Sequence, residues 1–519
     1  MIHALTGIES LALERRAVEE RGVTLSALMA RAGEAVAVEA AGLAPEGRIV
    51  LVTGKGNNGG DGWAAAARLH AAGREVRVLA FGLPDDLPRP AGEAAEAAIR
   101  GGVDWTAPQS AEELLLELRS AACVVDALFG VGFTGVPRDP YAAAIAVMSD
   151  VAAPILAVDV PSGVDATTGA TPGPAVIAAR TVCFSAPKTG LLLLPGAFFA
   201  GEVVVVDIGV PGDLVDEVGT LEVWDRGDYR ELIPLAGLDA HKGSRGRVLV
   251  VGGSAGMTGA VRLACVGALR MGAGYVTAAV PVSVADIVDA GVVPAVVVGL
   301  PETDTRSIAT GAVERIAALA ERADAVVLGP GMSRHPETAE VARRLVRELS
   351  VPLVVDADAL VALAADLSAL SGREFRTVLT PHPGELASLL GVEVREVQAD
   401  RVSWAGRLAV AETVCVLKGA RTIVAGEGRQ VVTLAGNPGL ATGGTGDVLA
   451  GMMGTLLAQG LPALEAGALA AYLHGRAGDL AAGACTQTCM TAEDVPLHLP
   501  GAVAETLERS EPATGGAHG

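Results

Sequence analysis

Short apolar runs recur along the chain, each stopping at glycine, proline or an acid, and between them lie alanine-rich stretches whose apolar residues fall at helical spacing. Residues 8–21 and 24–41 read as helices, with Thr24 placed to cap the second. The run Arg48–Thr53 reads as the first sheet strand, followed by a glycine loop and a helix over Trp63–Ala72. Further strands are expected at Glu75–Ala80, Ala122–Ala127, Ala153–Asp159, Thr181–Ser185 and Val203–Asp207. The alternation of runs and helical stretches predicts α/β architecture: a doubly wound, mostly parallel sheet with both faces covered. The pattern weakens from Pro211 to Asp239, which places a linker near residues 212–235. A second series then begins, with strands expected at Arg247–Val251, Tyr275–Val280, Ala325–Leu328, Pro352–Asp356, Thr377–Leu379, Val414–Leu417, Thr422–Ala425 and Gln430–Thr433, the last three forming a β-meander. Two α/β domains follow, over 1–215 and 225–508, and residues 509–519 read as a disordered tail.

Composition narrows the class of molecule. Half of the residues are apolar but only 3% are aromatic, so burial must come from many small side chains in close helix-on-sheet packing. A formal net charge of −21 disfavours nucleic acid or an anionic membrane as partner, because both require basic faces. No signal peptide and no membrane-spanning run is read. The six cysteines are scattered, mostly inside apolar runs, and read as free thiols of a reducing, cytoplasmic compartment. Any phosphate must therefore be held locally, by glycine loops, helix ends and a few lysines or arginines.

Two glycine-rich stretches offer such places. Gly54-Lys55-Gly56-Asn57-Asn58-Gly59-Gly60-Asp61-Gly62 lies between a strand and a helix, where backbone N–H groups and a helix N-terminus favour a polar ligand, and the asparagine and acid oxygens also suit a hard cation. Thr442-Gly443-Gly444-Thr445-Gly446-Asp447 opens an apolar helix and suits a phosphate. An acid there would repel that phosphate unless it acts as a base toward an attacking hydroxyl; the alternative is an ordinary helix N-cap. Other polar and glycine residues fall at predicted strand ends: Asp126 with Gly130 to Gly135, Asp159 with Ser162, and Lys188 with Gly190.

Taken together, Asn57-Asn58-Gly59-Gly60-Asp61-Gly62, Asp126-Ala127-Leu128-Phe129-Gly130 and Asp159-Val160-Pro161-Ser162-Gly163 resemble the NAD(P)H-hydrate epimerase family. The second half resembles the ADP-dependent NAD(P)H-hydrate dehydratases through Lys242-Gly243, Gly329-Pro330-Gly331, Asp356-Ala357-Asp358, Thr380-Pro381-His382-Pro383-Gly384-Glu385, Leu417-Lys418-Gly419-Ala420 and the loop ending at Asp447. The resemblance covers nearly the whole chain and implies a Rossmann-like three-layer αβα domain followed by a ribokinase-like αβα domain. It implies repair of hydrated NADH and NADPH. The N-terminal domain would interconvert the R and S epimers, and the C-terminal domain would dehydrate the S form at the expense of ADP, giving AMP and phosphate.

By the same likeness, Asn57, Asn58, Gly59, Gly60 and Asp61, together with Gly130, Val131, Gly132, Phe133, Thr134, Gly135 and Val136, contact the hydrated dinucleotide in the first domain, and Asp159 binds it as acid/base with Lys188 assisting. Asn58, Asp126 and Ser162 match potassium ligands. In the second domain Ala260, Gly331, His382 and Asp447 match dinucleotide contacts, with Asp447 as catalytic base, and Lys418, Gly419, Ala420, Arg421, Thr422 and Gly446 match the adenine-nucleotide site. Glu385 is placed to orient magnesium-bound water, or is simply a helix N-terminal acid. Ribokinase-like domains commonly assemble, so a homo-oligomer is expected. Three departures from the family pattern, Met257, Ala295 and Met332-Ser333, avoid the base. Two other readings compete: a ribokinase-type small-molecule kinase with an accessory dinucleotide-binding domain, and a first half that is only a binding or scaffold module. A plain kinase has no use for the Asn57 to Gly62 motif, and the set Asn58, Asp126, Asp159, Ser162 and Lys188 is intact.

Overall fold

The computed structural model describes residues 1–370 and 372–508, so the stretch read as a disordered tail lies outside the described residues. Two compact units divide the chain between Glu222 and Val223. The first is built on a seven-stranded sheet. Its strands are β1 (Ile49–Thr53), β2 (Val76–Ala80), β3 (Asp104–Thr106), β4 (Cys123–Ala127), β5 (Ile155–Val158), β6 (Arg180–Phe184) and β7 (Glu202–Val206). They lie in the order β3-β2-β1-β4-β5-β6-β7 and pair in parallel throughout. Every residue of β1, β4 and β5 is buried, as a parallel sheet covered on both faces requires. The chain order reverses between β1 and β4, and in such sheets the crevice beyond that point is where ligands bind.

The second unit repeats the scheme with β8 (Arg247–Val251), β9 (Tyr275–Pro281), β10 (Val296–Leu300), β11 (Ala325–Leu328), β12 (Leu353–Val355), β13 (Thr377–Leu379), β14 (Thr413–Leu417), β15 (Ile423–Gly426) and β16 (Arg429–Val432). The order is β16-β15-β14-β13-β12-β11-β8-β9-β10, parallel except for the antiparallel β14-β15-β16 meander. Here the reversal falls between β8 and β11. Small residues set the packing. Helices Thr258–Arg270 and Thr445–Ala458 meet backbone to backbone, since a Cβ on Gly267 would fall 2.3 Å from the Val448 carbonyl oxygen and one on Gly451 would fall 1.9 Å from that of Ala264.

Three local expectations are corrected. The helix expected to start at Trp63 starts at Asn57, so Asn57 to Gly62 form its first turns and only Gly54 to Gly56 remain loop. The stretch 212–235 is not irregular: it folds as helix Gly212–Val218, strand Leu221–Val223 and helix Arg226–Leu232, short elements without long apolar runs, the last of them fixed by a capping box of Asp225 and Asp228. Two strands add to the expected set: β3, three residues long and only partly buried, has no continuous apolar signature, whereas β10 does carry the apolar run Val296-Val297-Val298 although it is only partly buried. All six cysteines are free, and four of them are buried. Among the described residues no helix is long and apolar enough to cross a membrane.

Candidate active sites

In the first unit the segments following β1 and β4 meet at the reversal. A Cβ on Gly54 would lie 2.0 Å from the Leu128 carbonyl oxygen, an approach that only glycine permits. Asn58 Nδ2 donates to the Phe129 carbonyl at 2.9 Å, Phe129 N donates to Ser162 Oγ at 2.9 Å, and Ser162 Oγ donates to Asp126 Oδ1 at 2.7 Å. Asp126 is fully buried and also accepts from Ser162 N and Leu128 N. Burial pushes its carboxyl up to about 6 despite those hydrogen bonds. The expected trio Asn58, Asp126 and Ser162 is thus brought together, as an all-oxygen set with one costly buried carboxylate. A hard monovalent cation fits it, because a positive charge would relieve that burial penalty. Beyond it, Gly130 to Val136 form a largely exposed rim, with Phe129 stacked on Phe133 at 4.4 Å.

Asp159 follows β5 in the left-handed region (φ 63°), which a non-glycine residue adopts only when its surroundings enforce it. The enforcement is visible: its Oδ1 accepts from Phe184 N at 3.0 Å and pairs with Lys188 Nζ at 2.7 Å. Lys188 is 2% exposed and spends its remaining protons on the carbonyls of Phe184 and Ala186. Burial alone would lower the ammonium's pKa, but Asp159, with Cys183 and Glu14, outweighs it and holds it above the ordinary value. Asp61, expected at the helix start, is instead buried within that helix, and desolvation, with Asp159 and Glu14 nearby, holds its carboxyl well above the usual range.

In the second unit the segments after β8 and β11 converge in the same manner. Gly253 N donates to the Pro330 carbonyl at 2.8 Å, and Gly331, at φ 61°, lies where a Cβ would come 3.1 Å from that of Ala260. The Asp447 loop closes the site from the neighbouring helix. That helix is capped by Gly444 in the left-handed region, and Asp447 is in its first turn without accepting any hydrogen bond among the described residues. The N-cap alternative for Asp447 is thereby removed. Burial, together with Asp356, raises its carboxyl to about 7, with Lys418 partly opposing. Lys418 Nζ contacts Asp356 Oδ1 at 2.7 Å, and a Cβ on Gly446 would sit 3.3 Å from the same ammonium. Among the adenine-site candidates, Gly419 and Ala420 are exposed, Thr422 Oγ1 donates to the Gly419 carbonyl at 3.1 Å, and Arg421 donates to that of Leu434 at 2.6 Å. His382 is exposed and caps helix Pro383–Leu390, its Nδ1 accepting from Gly384 N and Glu385 N, and the Glu385 carboxylate returns a bond to His382 N. Both Glu385 readings therefore share one geometry: it is a capping acid beside the site.

Two family descriptions match the chain: YjeF-related protein N-terminus over residues 25–190, and NAD(P)H-hydrate dehydratase over residues 248–500. The bifunctional NAD(P)H-hydrate repair enzyme Nnr of Moorella thermoacetica is 40% identical over 509 residues, 96% of this chain and 96% of its own. This chain belongs to that family. The Escherichia coli member is 35% identical across 93% of this chain and 90% of its own. A crystal structure of the ADP/ATP-dependent NAD(P)H-hydrate dehydratase of Bacillus subtilis with ATP/Mg2+ is 30% identical and covers 55% of this chain and 98% of that one, at a TM-score of 0.49.

In this repair-enzyme chain, three residues to which the sequence assigned no role support the second site. Asp356, 1% exposed, anchors Lys418 and accepts from Thr380 Oγ1 at 2.6 Å. Arg401, also buried, donates to the carbonyls of Leu417, Lys418 and Ala420 and so holds the end of that strand, where the adenine-site candidates lie; burial lowers its pKa to about 10. His474 contacts the Thr445 carbonyl through Nε2 at 2.9 Å, and desolvation lowers its imidazole to about 4, so it stays neutral beneath the glycine loop. For Asp356 the signal was present, since it opens Asp356-Ala357-Asp358 at a strand end. For Arg401 and His474 there was none, because each sits alone on a helix distant in sequence from what it holds.

Proposed function

We infer that the protein repairs hydrated NADH and NADPH in two steps, epimerising the R and S forms in its N-terminal domain (1–215) and dehydrating the S form in its C-terminal domain (225–508). The observation that carries this reading is the coexistence, in one chain, of the Asn58–Asp126–Ser162 and Asp159–Lys188 constellations with an unpaired Asp447 at a phosphate-suited helix start. In the dehydratase, Ala260, Gly331 and His382 border the dinucleotide while Lys418 to Thr422 and Gly446 hold ADP. Asp447 takes the proton of the ring hydroxyl, whose oxygen attacks the terminal phosphorus of ADP and displaces AMP. The N–H groups at the helix start and Lys418 stabilise charge on the moving phosphoryl group. A ring hydroxyl is a poor leaving group; its phosphate ester is a good one, and expulsion of phosphate with loss of the neighbouring proton restores the reduced ring. Mg2+ would accompany the nucleotide, with Glu385 orienting its water.

In the epimerase, Asn57 to Asp61 and the rim Gly130 to Val136 receive the dinucleotide, and Asp159, oriented by Lys188, exchanges the proton on which inversion depends. Asn58, Asp126 and Ser162 would hold K+, which supplies positive charge at the reversal of the sheet. The protein acts in the cytoplasm and as a homo-oligomer on this reading. The test is direct: separated R and S forms of acid-generated hydrated NADH are mixed with the protein and ADP, and absorbance of the reduced nicotinamide is followed. Both forms are converted if the reading holds. Failure of both, with stable phosphorylation of a small alcohol instead, supports the kinase alternative.

A further inference from the structure

A side chain outside every motif described above faces the Asp159–Lys188 pair. Glu14 lies on helix Gly7–Arg21 and lines a small pocket with Ser10, Asp159, Phe184 and Lys188. The helix is fixed there at its start. Leu5 brackets Lys188, accepting from Thr189 N and donating to the Pro187 carbonyl at 2.9 Å each, and Thr6 with Glu9 forms the capping box. Gly7 N then donates to Thr167 Oγ1 at 3.0 Å, and a Cβ on Gly7 would come 2.7 Å from the Val131 carbonyl oxygen, so the same helix abuts the substrate rim. Unlike Asp159 Oδ1 and Lys188 Nζ, which are committed to each other and to backbone, Glu14 has no hydrogen bond among the described residues. The titratable groups facing it are Asp61, Asp159 and Lys188. Burial, with Asp159 adding to it and Lys188 opposing, lifts its carboxyl to about 7, leaving a proton to give near neutrality.

Resting on the epimerase reading, we propose that Glu14 is the second proton carrier of that site, working with Asp159 on opposite ends of the bond that inversion must break. Hydration of an enamine places the hydroxyl on the carbon bonded to the ring nitrogen. Asp159 carboxylate takes the hydroxyl proton, the oxygen pair forms a carbonyl, and the carbon–nitrogen bond breaks with its electrons on nitrogen, which the Glu14 carboxyl protonates. Rotation about the adjacent single bond presents the other face of the carbonyl. Nitrogen then re-attacks, returning its proton to Glu14 while Asp159 returns its own to oxygen. Atoms and charges balance, nothing is oxidised, and both carboxyls end as they began.

The test compares Glu14→Gln, Glu14→Asp and Asp159→Ala in the full-length chain, reading R-to-S conversion across pH and dehydration of the S form separately. The wild type loses epimerisation as pH rises through about 7, because Glu14 must start protonated. Glu14→Gln lowers conversion by about a hundredfold and loses that limb, Glu14→Asp restores part of the rate, and S dehydration is untouched. Unchanged conversion, or a lower rate that keeps the limb, overturns the proposal. If Glu14→Gln does not fold, the wild-type profile decides, and a flat one through that range overturns it. Full R turnover in Asp159→Ala would instead overturn the underlying epimerase assignment.

Discussion

Asp447 shows what the glycine loop costs and supplies. Its carboxyl stands near 7 because burial penalises the charge, and Asp356 adds to the penalty. A base must be ionised to act, so dehydration of the S form rises with pH through about 7, a limb measurable in kcat/KM. The stability effect has the opposite sign. An acid whose folded pKa is raised stabilises the fold below its unfolded pKa and loses that contribution as pH climbs through the folded value. Asp447→Asn should therefore abolish dehydration yet raise the melting temperature at and above neutral pH, checked by calorimetry at two pH values; equal melting at both would contradict the burial account. Asp447 was legible as a candidate base in the sequence because a glycine-rich loop suited to phosphate and an acid sit together on adjacent residues. Glu14 was not, because the groups it faces lie far away in the chain and only folding joins them.

At the scale of elements, glycine faces and buried cations keep the site in register. Gly451 lies against Ala264 backbone, where an added methyl group must push helix Thr445–Ala458 away from helix Thr258–Arg270. Gly451→Ala should cost dehydration activity about tenfold or more while the helices remain folded, because small displacements of reacting groups are amplified in rate. Arg401→Met removes donors to the carbonyls of Leu417, Lys418 and Ala420, so KM for ADP rises and stability falls by about 2–4 kcal/mol, read from chemical denaturation and ADP titration. The inner strands were readable from continuous apolar runs bounded by glycine. Elements lacking that signature were not legible: the short edge strand Asp104–Thr106, and the helix that begins at Asn57 through two asparagines and two glycines, residues with weak helix propensity; the edge strand Val296–Leu300 carried an apolar run and was legible in principle. The tertiary contacts of Gly59 with Gly54 and of Asn58 with Phe129 override that propensity.

At the scale of the whole molecule, two α/β units each bring two strand-end segments together where their strand order reverses. The chemistries are nevertheless unlike: proton exchange without a co-substrate in the first, phosphoryl transfer in the second. Replacing K+ by a large organic cation in the assay buffer should slow R conversion and leave S dehydration at its former rate, since Asn58, Asp126 and Ser162 belong to the first unit alone. The separation itself is tested most directly by product analysis with two full-length variants, Asp159→Ala and Asp447→Asn, each given purified R and purified S hydrated NADH in turn, with ADP. The account predicts that Asp159→Ala consumes S to NADH, AMP and phosphate while R persists beyond its slow spontaneous conversion. Asp447→Asn should form no NADH yet carry purified R or S to the same epimer mixture. Loss of both activities in either folded variant, or unchanged R turnover in Asp159→Ala, would contradict the division of labour.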